Sequence, residues 1–156
     1  MKIQEMRTKL SNETGLETII NDYQPCFDEI DAIITELKTD KLSTEDGLVM
    51  AQTKLTGLYG SIITVYKMAE ATKSNIEAKK WMLAKDEYEK NNPGSKELSA
   101  AKLDRMVGAE IGDWRMLRNI FEGYVLAAEK AIITCQSNLK NMKTERVFNN
   151  ANPERY

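Results

Sequence analysis

The chain has 156 residues, 42% of them hydrophobic and 29% charged, with a formal net charge of −2; this is the balance of a folded helical domain rather than of a disordered segment. No charge-free apolar run nears the roughly 20 residues that a bilayer crossing needs, and the opening MKIQEMRTKLSNE is too polar for a secretory leader, so no membrane partner and a cytoplasmic location are expected. The sequence contains no histidine, which removes the commonest general base and metal ligand and excludes an ordinary zinc site or a Ser-His-Asp triad.

No GxxxxGKS/T loop and no GxGxxG turn is present to cradle a phosphate. Cys26 and Cys135 lie far apart, each inside a helical pattern, and read as small core residues rather than a disulfide or metal pair. The acids Asp28, Glu29 and Asp31 surround an apolar helical stripe and read as a solvated face. A non-enzymatic protein without cofactor or metal is expected.

In chain order, residues 1–15 read as a short helix or arm ending in the polar turn Ser11-Asn12-Glu13-Thr14-Gly15. From 16 to 40 the apolar positions Leu16, Ile20, Tyr23, Phe27, Ile30, Ile34 and Leu37 step by 4 and 3, which predicts an amphipathic helix. Pro25 either kinks it or sits in the first turn of a helix whose regular part begins near Asp22. Ser43, followed by Glu45 and Asp46, reads as the cap of a second helix starting near Thr44. That helix keeps a heptad-like rhythm through Leu48, Ala51, Leu55, Leu58, Ile62, Val65, Ala69, Thr72 and Ile76, runs to about Glu89, and stops at Asn91-Asn92-Pro93-Gly94-Ser95. Gly57 and Gly60 are points where it could bend. A short segment follows around Leu98, Leu103, Met106 and Val107, with Ser99 as its cap.

The last long helix is predicted from about Ala109 to Glu145. Its seam is Trp114, Leu117, Phe121, Tyr124, Ala128, Ala131, Cys135, Leu139 and Met142, again at alternating 3 and 4 spacing. Residues 146–156 read as a flexible tail. The fold class is therefore all-α: a single domain with a long antiparallel helical hairpin over 44–145 and an additional N-terminal helix. Side positions such as Tyr59, Ile63, Tyr66, Ile120, Val125, Ile132 and Ile133 widen the apolar stripe beyond a two-helix seam. This predicts a helical-bundle homo-oligomer, with a four-helix monomer as the competing arrangement.

Charge is uneven along the chain: residues 1–48 carry 11 acids against 5 bases, and residues 49–105 carry 10 bases against 7 acids. Lys73, Lys79, Lys80, Lys85 and Lys90 lie near the end of the second long helix with Trp81 and Tyr88 among them; Lys96, Lys102 and Arg105 follow across the turn. Lysines neutralise phosphates and aromatic rings stack on unpaired bases, so these residue types suit a single-stranded nucleic acid. Acids at Glu77, Asp86, Glu87 and Glu89 dilute the patch, and a solvated helix face is the competing explanation. The acidic N-terminal third supports a different class, a protein-interaction module such as a phage scaffold, an assembly chaperone or an inhibitor of a host defence protein.

The order of features is a long helix carrying Lys79-Lys80-Trp81, Lys85 and Tyr88, a Pro/Gly break, the segment Ser99-Ala-Ala-Lys-Leu-Asp-Arg-Met106, and a closing helix. The closing helix holds Trp114, Leu117, the run Glu122-Gly-Tyr-Val-Leu-Ala-Ala-Glu-Lys-Ala131 and Cys135-Gln-Ser-Asn-Leu-Lys140. Over roughly residues 45–147 this resembles the UvsY-type recombination mediators of phages. The resemblance implies an oligomeric, ring-like accessory protein in the host cytoplasm. Such a protein would bind single-stranded DNA through Lys79, Lys80 and Lys85, flanked by Lys73 and Lys90, with Trp81 and Tyr88 stacking. Its further partners would be a RecA-like recombinase and a single-strand-binding protein.

Overall fold

The computed structural model describes residues 3–39, 41–93 and 99–151. Five helices, α1 (Ile3–Leu10), α2 (Glu13–Lys38), α3 (Glu45–Asn91), α4 (Ala100–Glu110) and α5 (Gly112–Ala151), make up 92% of them, with no strand among the described residues. The protein is all-α, and none of the described helices is long and apolar enough to cross a membrane. Gly94, Ser95, Lys96 and Leu98, and the tail from residue 152, lie outside the described residues.

The helix boundaries follow local chemistry, with five differences from the sequence reading. The cap of α3 is Thr44 rather than Ser43: the Gly47 amide donates to Thr44 Oγ1 at 3.1 Å, satisfying a donor that a helix start otherwise leaves open, and the Leu48 amide makes the first helical bond to the Thr44 carbonyl at 3.0 Å. Thr44→Ala should therefore cost about 1 kcal/mol of stability and Ser43→Ala almost nothing, a contrast that urea denaturation of the two variants will measure. Ser99 occupies the N-cap position of α4 with extended backbone, but its side chain makes no capping bond; its carbonyl instead accepts from the Lys102 and Leu103 amides.

Pro25 lies inside a helix that has already run from Glu13, so it is not in a first turn. The amide it lacks leaves the Asn21 carbonyl without its helical partner, and Asn21 is exposed to water. The segment expected to start at Ala109 breaks instead at Ile111. There ψ is +16° rather than the helical value near −42°, while the Ile111 side chain is wholly buried. Downstream, α5 continues to Ala151, past the expected end at Glu145.

Packing divides the chain into two compact units. Unit 1 comprises residues 1–22 and 64–121, and unit 2 residues 23–63 and 122–156. In unit 1 the core is built from Met6 and Leu10 of α1, Leu16 and Ile19 of α2, Val65, Tyr66 and Ala69 of α3, Leu103 and Val107 of α4, Ile111, and Trp114, Leu117 and Phe121 of α5. The α1–α2 corner is tightly made. Asn12 caps α2 by accepting the Gly15 amide at 2.7 Å, and Trp114 Nε1 donates to the Leu10 carbonyl at 2.9 Å in a buried bond. That carbonyl belongs to the last turn of α1, where no intrahelical donor exists.

In unit 2 the core holds Phe27, Ile30 and Ile33 of α2, Leu48, Ala51, Leu55 and Ile62 of α3, and Val125, Ala128, Ala131 and Cys135 of α5. Phe27 stacks on Tyr124 with ring centroids 4.1 Å apart and planes 13° from parallel, and the Tyr124 hydroxyl donates to Asp31 at 2.9 Å. Ion pairs Lys54–Glu29 and Arg146–Glu45 tie α3 to α2 and to α5. Of the seam positions on α5, Trp114, Leu117, Phe121, Ala128, Ala131 and Cys135 are buried inside their own units, and Tyr124, Leu139 and Met142 are half-buried. Burial raises the thiol pKa of Cys26 and Cys135, both of which are free, so neither is poised as a thiolate.

Candidate nucleic-acid interface

Of the basic and aromatic residues singled out in the sequence, Lys73, Lys79, Lys80, Trp81, Lys85, Tyr88 and Lys90 lie on the second half of α3, and Lys102 and Arg105 lie on α4, all within unit 1. From Thr72 to Asn91 this helix contains no fully buried side chain, although it carries Trp81, Tyr88, Met82 and Leu83. Met82 and Leu83 are 63% and 64% exposed, while Trp81 and Tyr88 are half-buried. A helix of this length gains most of its stability from an apolar face packed on something. Here the packing is partial, and side-chain ion pairs supplement it.

Three such pairs hold α3 to α4 and α5. Lys80 bonds Glu110 at 2.7 Å, Arg115 bonds Glu77 at 2.6 Å, and Arg118 approaches Glu70 at 3.9 Å. Within unit 1, rising numbers on α3 therefore meet falling numbers on α4 and α5, an antiparallel alignment. Glu77 also accepts from Lys73 at 2.7 Å. Glu70 accepts from Lys67 at 3.1 Å, and Lys67 and Arg118 both lie over the Tyr66 ring.

The electrostatic consequences differ from one lysine to the next. The pKa of Lys80 is raised, first by its bond to Glu110 and further by the field of Glu110, with desolvation opposing and Glu13 adding last; its charge is compensated within the unit. Lys73 is engaged by Glu77, and Lys85 lies 3.8 Å from Glu89. Lys79 and Lys90 are exposed and have no carboxylate within 4.0 Å among the described residues. The Glu77 carboxyl is held below its usual range by Lys73 first and Arg115 second. A carboxyl whose folded pKa is depressed contributes stability above its unfolded value, and that contribution is lost as pH falls through the folded one. The gap in melting temperature between wild type and Glu77→Gln at pH 7 should therefore narrow below about pH 4, as thermal unfolding across a pH series will show.

The geometry separates the candidates into two faces. Residues two apart on an α-helix point about 200° from each other, so Lys79 and Lys90 lie nearly opposite Trp81 and Tyr88. Trp81, Lys85 and Tyr88 fall within about 60° of one another, with Lys73 at the edge of that face. What the structure brings together is one charged and two aromatic side chains on a single half-covered face; it does not gather the five lysines into one patch. The sequence reading overlooked Lys140 and Lys143 of α5. Both are exposed and without an ion pair among the described residues, and their only signal in the sequence is a spacing of three. No group of three or more metal-ligating side chains occurs among the described residues. Comparison with known proteins found no match to a family model, a curated protein or a solved structure.

Proposed function

We propose that this protein is a non-enzymatic single-stranded-DNA-binding recombination mediator that acts as a homo-oligomer in the host cytoplasm and helps load a RecA-like recombinase onto a strand held by single-strand-binding protein. The observation that carries the reading is the shared face of Trp81, Lys85 and Tyr88 on a stretch of α3 with no fully buried residue. Two rings seven residues apart stand about 10.5 Å apart along the helix. Each offers a base a stacking surface, and the lysine between them meets phosphate. Several copies held together would turn modest affinity per subunit into useful avidity.

A titration of the protein into a fluorescein-labelled oligothymidine, followed by anisotropy at 50 and 300 mM salt, tests this. Binding that weakens steeply with salt is expected, because lysine–phosphate contacts release counterions; absence of binding at the lower salt overturns the proposal. The competing reading is a helical protein-interaction module. It is favoured by the pairing of Lys80 with Glu110 and of Lys73 with Glu77, which removes positive charge from the face. Wild-type protein that ignores the oligonucleotide but co-purifies with one host protein would establish it instead.

A further inference from the structure

Within unit 2 the end of α5 forms one wall of an open groove of about 720 Å³, and Gln52 of α3 contributes to the other. Leu139, Val147 and Phe148 make its lining largely apolar, and the exposed Lys140 and Lys143 stand on its rim; no carboxylate lines it among the described residues. Val147 is 69% exposed and Phe148 56% exposed, so the two neighbours present adjoining apolar surface to water. Neither rim lysine has an acidic partner within 4.0 Å among the described residues, whereas the neighbouring Arg146 is engaged by Glu45 at 2.9 Å.

We infer that this groove is a docking site for an acidic amphipathic helix of a partner protein, its apolar stripe seated on Leu139, Val147 and Phe148 and its flanking carboxylates on Lys140 and Lys143. Three features select this occupant. The lining along α5 from Gln136 to Phe148 covers about 18 Å, enough for apolar anchors spaced i, i+3, i+4 and i+7, the pattern by which helices are read in grooves. The lining is largely apolar, which suits aliphatic side chains better than a sugar-phosphate backbone. Among the described residues the rim carries charge of one sign and no acid, so it complements an acidic helix and repels a basic one. The site is separate from the face of α3 argued above, and it stands if that face binds nothing.

The test uses two fluorescein-labelled 18-residue synthetic helices with the same leucine stripe, one flanked by glutamates and one by lysines, titrated with the full chain and followed by anisotropy. The glutamate helix should bind at least tenfold more tightly than the lysine helix. Lys140→Glu with Lys143→Glu should abolish that preference, and Val147→Asp should weaken the glutamate helix at least tenfold. Because all three positions are exposed, the helical circular dichroism should not change. Equal affinity for the two helices overturns the inference. So does displacement of the glutamate helix by oligothymidine together with insensitivity to Val147→Asp, which would make the rim a nucleic-acid surface. A sedimentation profile in which Val147→Asp alone dissociates an oligomer would show that a second copy fills the groove, and would overturn it as well.

Discussion

Gly15→Ala should lower the stability of the protein by about 3 kcal/mol, a large part of the roughly 5–15 kcal/mol that holds a domain folded. A Cβ built at this position would lie 2.1 Å from the Lys9 carbonyl oxygen, 2.6 Å from its Cα and 2.7 Å from its carbonyl carbon. These are backbone atoms, so no side chain can swing aside; α1 itself must move. Overpacking of this kind costs about 1–3 kcal/mol. The displacement would also disturb the Leu10 carbonyl, one residue further on, which receives the buried Trp114 indole bond. Leaving a buried acceptor unsatisfied adds about 1–3 kcal/mol. Gly57→Ala is the control: nothing lies within 4 Å of the added methyl, so the ordinary helix preference for alanine should raise stability by up to about 1 kcal/mol. Urea denaturation midpoints of the two variants should move in opposite directions. Equal stability of Gly15→Ala and wild type would mean that α1 and α2 do not meet this closely.

Trp81→Ala and Tyr88→Ala should each weaken binding of labelled oligothymidine about fivefold or more, because stacking of a base on an aromatic side chain is worth about 1–3 kcal/mol. Both rings are only half-buried, so helicity should persist in the variants. Lys85→Ala should chiefly flatten the salt dependence, by somewhat less than one in the log–log slope for a single strand. Lys80→Ala should do little, since its charge is already met by Glu110. Lys79→Ala separates two strand paths: no effect places the strand along the aromatic face alone, whereas a clear loss requires it to reach the opposite side of α3. Unchanged affinity in both aromatic variants would remove the stacking face from consideration.

The candidate interface was legible in the sequence as residue types and only partly as geometry. The division between Lys79 and Trp81 follows from their separation by two positions, so the helical period alone contains it. The compensation of Lys80 does not follow from the period, because Glu110 lies 30 residues away and reaches it only after the chain has turned through α4. The significance of Lys140 and Lys143 was likewise hidden, since an isolated pair of lysines on a helix is ordinary until the apolar lining beside them is known.

What the sequence determined by itself is the helical character of the chain and the inward side of its helices. Leu48, Leu55, Ile62, Leu117, Phe121 and Cys135, all marked by their 3 and 4 spacing, have at most 0% exposure. That outcome is local physics: a helix with an apolar stripe buries it against whatever is nearest. Only the tertiary structure decided what the nearest thing is. The bond from Trp114 to Leu10 spans 104 positions, Gly15 is required by a neighbour's backbone rather than by its own turn, and Thr44 rather than Ser43 caps α3 because of where the chain enters the helix. Such features depend on which distant residues meet, and a periodic pattern specifies a face without naming its partner.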